Sequence, residues 1–408
     1  PETCPFLLPG STIPQPGHSP AFPTNRYIPH GNNYALCDNF SILVSWVPTP
    51  MRIWLLLFVS VLLCGCNTKA SAPPDGSLAV SDIKSDEHLV FFKTAAWYEA
   101  DGDTWRIPVH GWIYEPEDSS ARKVILREAL EQVFDLEVDE PADQILSNRV
   151  NLLLADNERG KQIVIDLAGR PYTLPPSAPN GHFQAVLSLS GREISEYAAN
   201  GRLPYSAITD SDEKRIFHGE VLLVSPEGLS VVSDIDDTVK ITEVTDRGRL
   251  LANTFLREFE AAPGMQPLFA DWAEQGARFH FVSSSPWQLY GPLASFLDES
   301  GFPPATFSLK DVRFRDETLL NLFKKGTETK PAAIRTILDR YPDRVFLLVG
   351  DSGEQDPEVY ADRIRARPEQ IKAVYIRNVT QETREGDRFN AVFDGVTPDR
   401  WHLYDDPE

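Results

Sequence analysis

The chain has 408 residues, 42% of them apolar and 24% charged, with a formal net charge of −21. That length accommodates two domains and a sizeable core. A chain so acidic repels nucleic-acid phosphate in its far field, which excludes nucleic acid as the expected partner. Any anionic ligand must be held by local cations or a metal.

Residues 1–50 open on Pro1, hold ten prolines and carry only the charges of Glu2, Arg26 and Asp38. No apolar periodicity runs through them, and they read as an upstream extension outside the native chain. At Met51 the pattern changes. Met51-Arg52 precedes the apolar run 53–63, then Cys64-Gly65-Cys66-Asn67. A positive start, a short apolar run and small residues make a signal segment at 51–66. The run is too short to span a bilayer, which takes roughly 20 apolar residues. Leu63-Cys64-Gly65-Cys66 resembles the lipobox of bacterial lipoproteins. That resemblance implies lipid attachment at Cys66 and a place in the bacterial cell envelope, anchored to a membrane, with the outer membrane or periplasmic face favoured. The other reading is an ordinary cleaved signal. Residues 67–86, rich in Ser, Ala, Pro, Asp and Gly, read as a tether. The four cysteines are Cys4, Cys37, Cys64 and Cys66. With none beyond residue 66, the body has no disulfide or thiolate site, and a metal must take oxygen ligands.

Residues 87–226 read as a β-rich, sandwich-like module. Short β-branched or aromatic runs at 88–93, 104–114, 150–154, 162–166, 182–189 and 217–224 are punctuated by Gly, Pro, Asn and Asp. One helix is expected at 121–134. No cluster of catalytic residue types falls here, so a scaffold or docking role is expected.

Residues 227–408 switch to buried strands alternating with helices. Strands are expected at 229–234, 277–283, 345–351 and 372–377, and helices at 255–260, 267–275, 292–299 and 331–340. That alternation predicts an α/β fold with a doubly wound parallel sheet, whose ligands bind beyond the carboxyl ends of the strands. Asp234, Ser283 and Asp351 stand at three such ends.

In Ser233-Asp234-Ile235-Asp236-Asp237-Thr238, two acids two residues apart leave a strand end together. Asp234 suits a nucleophile towards phosphorus. Asp236 suits the acid that protonates the leaving alkoxide and the base that then activates water. An acidic loop after a strand is the plainer alternative. In Ser283-Ser284-Ser285-Pro286-Trp287, a hydroxyl beside main-chain N–H groups can hold a phosphate oxygen. Ser283 is the first candidate, Ser284 the next, and helix capping the plain alternative. Lys330, at a helix start, can neutralise phosphoryl charge, with Lys324 and Lys325 as competitors. In Gly350-Asp351-Ser352-Gly353-Glu354-Gln355-Asp356, Asp351 would join Asp234 and the main-chain carbonyl of Asp236 around Mg²⁺. Asp356 would hold a metal-bound water.

As a set, these pieces resemble the haloacid-dehalogenase-type phosphatases. The flanks narrow this further: Asn253-Thr254-Phe255, Pro263-Gly264-Met265, Ser285-Pro286-Trp287, Gly301-Phe302-Pro303 and Lys240-Ile241-Thr242 are similar to the actin-patch-associated phosphatidate phosphatases. That resemblance covers roughly 228–400. It implies Mg²⁺-dependent release of phosphate from phosphatidate, giving diacylglycerol, and the roles above for Asp234, Asp236, Lys330 and Asp351. Soluble phosphomonoesters or phosphoproteins are a second expected substrate class. A non-catalytic envelope binding protein is the reading from outside the enzymes. Inserts after Asp236 and after Gln288 are modest, which predicts a pocket without a lid domain. Lys310, Arg313, Arg315, Lys324 and Lys325 could steer an anionic head group, or be a solvated loop.

Overall fold

The computed structural model describes residues 79–99, 103–116, 140–311 and 329–407, together with Val124 and Glu128. The expected extension, the signal segment with Cys66, most of the tether and the basic residues Arg313, Arg315, Lys324 and Lys325 lie outside the described residues. So does the helix expected at 121–134, apart from Val124 and Glu128, which are helical. Among the described residues no helix is long and apolar enough to cross a membrane.

The tether ends sooner than its composition suggests. Ser81 is buried, and its hydroxyl donates to the Val164 carbonyl at 2.9 Å and accepts from the Val164 N–H. Glu87 is fully buried against Lys161 at 2.7 Å. Residues from Ser81 on are therefore part of the packed module.

Among the described residues nine strands build that module: β1 (His88–Phe91), β2 (Thr94–Glu99), β3 (Thr104–Glu115), β4 (Asp156–Asn157), β5 (Val164–Leu167), β6 (Arg170–Thr173), β7 (His182–Ser190), β8 (Arg202–Ala207) and β9 (His218–Leu223). They form one connected sheet of order β1-β3-β2-β9-β8-β5-β6, with β4 and β7 also on β3. Strand β2 is shared along its length. Thr94–Ala96 pair parallel with β9, and Trp97–Glu99 pair antiparallel with β3. Ile107 and Val109 of β3, Leu187 of β7, Ile165 of β5, Leu203 of β8 and Val221 of β9 meet in one core cluster.

The strand expected at 150–154 is instead the end of a helix, α1 (Glu140–Leu154). Leu146, Val150 and Leu153 are buried at i, i+4 and i+7, the stripe of an amphipathic helix, and the run Leu152-Leu153-Leu154 beside Val150 hid that spacing. A short helix α2 (Gly191–Tyr197) follows β7, started by a capping box of Ser190 and Glu193.

The second sheet is parallel throughout, as expected: β10 (Gly228–Ser233), β11 (Arg278–Pro286), β12 (Ala305–Lys310), β13 (Arg344–Asp351), β14 (Ile371–Arg377) and β15 (Trp401–Tyr404) stand in the order β12-β11-β10-β13-β14-β15. The chain runs outward from β10 to β12, then returns to β13 on the other side. The carboxyl ends of β10 and its two neighbours thus flank the switch point where such sheets bind ligands. Consecutive buried residues such as Val231 and Val232 show both faces covered.

The α-helices here among the described residues are α3 (Arg247–Phe255), α4 (Met265–Glu274), α5 (Tyr290–Glu299), α6 (Thr329–Arg340), α7 (Asp356–Ala366) and α8 (Asp387–Val392). The helix expected at 255–260 lies earlier, as α3, because Asp246 caps it by accepting from the Arg249 N–H at 3.1 Å. Ile334 and Leu338 of α6, Tyr360 and Ile364 of α7 and Phe389 of α8 cover one face over Val232, Leu348 and Val374.

The two sheets share packing. The Phe92 ring lies 4.4 Å from that of Trp287 and 4.8 Å from that of Tyr290. Arg149 of α1 donates to the carbonyls of Thr254 and Arg257 at 2.9 and 2.6 Å, with its guanidinium 3.8 Å from the Phe259 ring centre. The first module thereby braces the chain that leaves the Asp234 loop.

Candidate active site

Asp234, Asp236, Ser283, Lys330, Asp351 and Asp356 lie at the carboxyl edge of the second sheet, around the end of β10. Asp234 follows β10 and is buried, its N–H donating to the Val349 carbonyl at 2.9 Å. Asp351 ends the neighbouring β13 and Asp356 opens α7, both fully buried. One carboxylate oxygen from each of Asp234, Asp351 and Asp356 lies within 4.8 Å of the others. The close fold-back of the loop needs a glycine, since a side chain at Gly350 would bring a Cβ within 2.2 Å of Asp356 Oδ2.

Lys330, the second residue of α6, reaches into this cluster. Its Nζ lies 2.6 Å from Asp356 Oδ1, 3.1 Å from Asp234 Oδ1 and 3.1 Å from Glu354. Burial works against its charge, but Asp234, Asp356 and Glu354 outweigh that and hold it well above the ordinary lysine range. Burial pushes the carboxyl groups of Asp234 and Asp351 well up, and the crowding of acids adds to it, against the pull of Lys330. Asp356 is raised for the same first reason, burial.

These acids fit a hard divalent cation. Asp351 Oδ1 accepts from the N–H groups of Gly353 and Glu354 at 2.6 and 3.1 Å, whereas Asp351 Oδ2 and Asp234 Oδ2 are buried without a hydrogen-bond partner. Orphaned carboxylate oxygens on two of three clustered acids leave an all-oxygen donor set, the kind Mg²⁺ takes. Asp356, expected to act through a water, is a direct member of the cluster. Asp236 is not, so only its main-chain carbonyl is left as the ligand expected of it.

The Asp236 side chain is held elsewhere. Lys240 Nζ lies 2.8 Å from its Oδ1, and Thr242 donates to the same oxygen at 2.9 Å. Ser283 and Ser285 donate to Oδ2 at 3.1 and 3.0 Å. Burial alone would raise this carboxyl group, but Lys240 and the hydroxyls of Thr242 and Ser285 bring it down to about 2. Ser283 thus touches Asp236 and also accepts from the Ser285 N–H at 3.0 Å. Ser284 makes neither contact. Lys240, Thr242, Ser285 and Glu354 were missed as members of the site. Their one signal is adjacency to motifs already marked.

Asp237, the third acid of the loop, is a clamp. It takes a left-handed φ of 53°, and its carboxylate accepts from the N–H groups of Thr242, Glu243 and Val244 at 2.7, 2.7 and 2.6 Å. Replacing Asp237 by Ala strands those three N–H groups and places a Cβ-bearing residue without polar compensation in αL. An unfolding free-energy loss of about 3 kcal/mol is expected in urea titrations. A loss below about 1 kcal/mol would show that the loop holds without the clamp.

A segment of two acids at a strand end, a buried lysine and a third and fourth acid at the next strand's end defines a phosphoryl-transfer type of site on an α/β fold. Residues 229–378 match the family model described as the catalytic domain of phosphatidate phosphatase APP1. The chain is 33% identical over 177 residues to an uncharacterized protein of Schizosaccharomyces pombe, covering 42% of this chain and 29% of the relative. It is 35% identical over 160 residues to phosphatidate phosphatase APP1 of Saccharomyces cerevisiae, covering 38% and 26%. The chain thus spans less than a third of the length of these curated relatives. Among solved structures, a putative beta-phosphoglucomutase from Thermotoga maritima aligns at 13% identity with a TM-score of 0.26, over 44% of this chain and 94% of that one. At that TM-score the likeness carries no weight.

Proposed function

We propose that this chain is a Mg²⁺-dependent phosphatase with Asp234 as nucleophile, acting on phosphatidate or a related lipid phosphate. The observation that carries the reading is the buried trio of Asp234, Asp351 and Asp356 on Lys330, inside the segment matched to the phosphatidate phosphatase family. Asp234, Asp351 and Asp356, with the Asp236 carbonyl, would hold the metal. Bound there, Mg²⁺ supplies positive charge that offsets repulsion between carboxylate and phosphate.

Asp234 attacks phosphorus, the bond from phosphorus to the ester oxygen breaks, and the leaving alkoxide takes a proton from Asp236. Water then attacks the aspartyl phosphate while Asp236 takes its proton, releasing inorganic phosphate and restoring Asp234. Lys330 holds negative charge on both Asp234 and the transferred group. Asp236, kept ionised by Lys240, rests in the form that serves the second half. For the first half it needs a proton, and the negative charge of an arriving phosphate favours its uptake.

The lipid substrate draws on the family and on the tether expected at Cys66, which would hold the catalytic domain at a membrane of the cell envelope. A panel of phosphatidate in mixed micelles, soluble phosphomonoesters and a phosphopeptide, each with Mg²⁺ and with EDTA, tests it. Release from phosphatidate that stops with EDTA is expected. Turnover of soluble esters alone would move the substrate to that class, and no turnover of any ester would return the chain to the binding proteins.

A further inference from the structure

We propose that Arg388 is a positioning residue for the Mg²⁺ loop, setting the aim of Asp351 from outside the matched catalytic segment. The inference rests on the Mg²⁺ reading of the preceding section. Arg388 lies in α8, beyond residue 378 where the family match ends.

All five N–H donors of its guanidinium are used. Nη1 donates to the Ser352 carbonyl at 2.6 Å and to Glu382 at 3.0 Å, and Nη2 donates to the Glu354 carbonyl at 3.0 Å. Nε and Nη2 take the Glu358 carboxylate in a fork at 2.9 and 3.2 Å. One planar group therefore pins two alternate carbonyls of the loop between Asp351 and Asp356, and ties them to the first turn of α7. A second tie comes from the same side of the fold. The Ser352 hydroxyl accepts from the N–H groups of Val379 and Thr380 at 2.9 and 3.0 Å, and the Ser352 N–H donates to the Arg377 carbonyl at 2.9 Å.

The consequence falls on Asp351. Peptide planes are rigid, so fixing the Ser352 carbonyl also fixes the Gly353 N–H in the same plane, and the Glu354 N–H is confined between that plane and the held Glu354 carbonyl. Those two N–H groups hold Asp351 Oδ1. With Oδ1 held, Oδ2 is left without a hydrogen-bond partner, in a residue that offers one carboxylate oxygen to the cluster with Asp234 and Asp356. Glu354, whose carbonyl Arg388 holds, also presents its carboxylate to Lys330. A lysine at 388 offers one point charge and cannot span two carbonyls and two carboxylates.

The test is calorimetric titration of Mg²⁺ into the metal-free full chain, without substrate, for wild type, Arg388→Lys and Glu358→Gln. Groups that orient metal ligands typically change affinity 10- to 100-fold when lost. Arg388→Lys is expected to raise the Mg²⁺ dissociation constant about tenfold, and Glu358→Gln, which loosens only the fork on α7, about threefold. If Arg388→Lys does not fold, Glu358→Gln carries the test. Mg²⁺ binding in wild type that neither folded variant weakens, even with lowered melting temperature, makes Arg388 purely structural and overturns the inference alone. A wild type that binds no Mg²⁺ overturns the metal reading and this inference together.

Discussion

Asp234→Asn should lose phosphate release by at least about 10⁴-fold with any substrate the wild type accepts, because the amide cannot attack phosphorus. The change is nearly isosteric and removes one charge from a crowded acidic cluster. Asp234 is buried and raised by burial first and then by Asp356, Glu354 and Asp351. The variant should therefore be at least as stable as wild type in the absence of metal, which separates loss of chemistry from loss of fold. Steady-state release and thermal melts on the same preparation check both parts. Residual turnover within about 10²-fold of wild type would place the nucleophile elsewhere.

Lys330→Met has the second largest expected effect, and it acts on stability as well as rate. Lys330 is the cation shared by Asp234, Asp356 and Glu354. Removing it leaves buried carboxylates without compensation, a loss of the order of 3–5 kcal/mol where they remain ionised. Those acids can escape by protonation, and this fixes the sign with pH. Asp234, Asp351 and Asp356 already have folded values above the ordinary 3.8, by burial first, and without Lys330 those of Asp234 and Asp356 rise further. The folded state then holds more protons than the unfolded one, so stability is greatest at low pH and falls as pH rises through the folded values. Metal-free Lys330→Met should thus lose more melting temperature than wild type between pH 5 and pH 8. Added Mg²⁺ should recover part of it. A variant whose deficit grows towards low pH would contradict the pairing.

How much of this could be read from the residues follows from how local each signal is. Asp234, Ser283 and Asp351 were legible because strand runs end on them, and a parallel sheet gathers strand ends at one edge. Lys330 was legible from its place before β13 alone. The helix over Val150 and Leu153 was not, because a short apolar run such as Leu152-Leu153-Leu154 fits a strand as well as a buried helix end. Nor was the division of labour within Ser233-Asp234-Ile235-Asp236-Asp237, where three acids alternate among cluster, Lys240 and main chain. Only the left-handed turn at Asp237 settles which oxygen meets what. Arg388 has no local signature at all. Its partners lie up to 36 residues away, and an arginine in a polar stretch reads as solvated.

The covalent role of Asp234 is tested most directly by stalling its second half. Asp236→Asn, given p-nitrophenyl phosphate, whose leaving group needs no proton, should form the aspartyl phosphate but hydrolyse it slowly. After acid quench, mass spectrometry of the peptide carrying Asp234 should show one added phosphoryl group, absent when Asp234→Asn is introduced as well. An Asp236→Asn enzyme that leaves this peptide unmodified, or carries the phosphoryl group on another residue, would contradict the account.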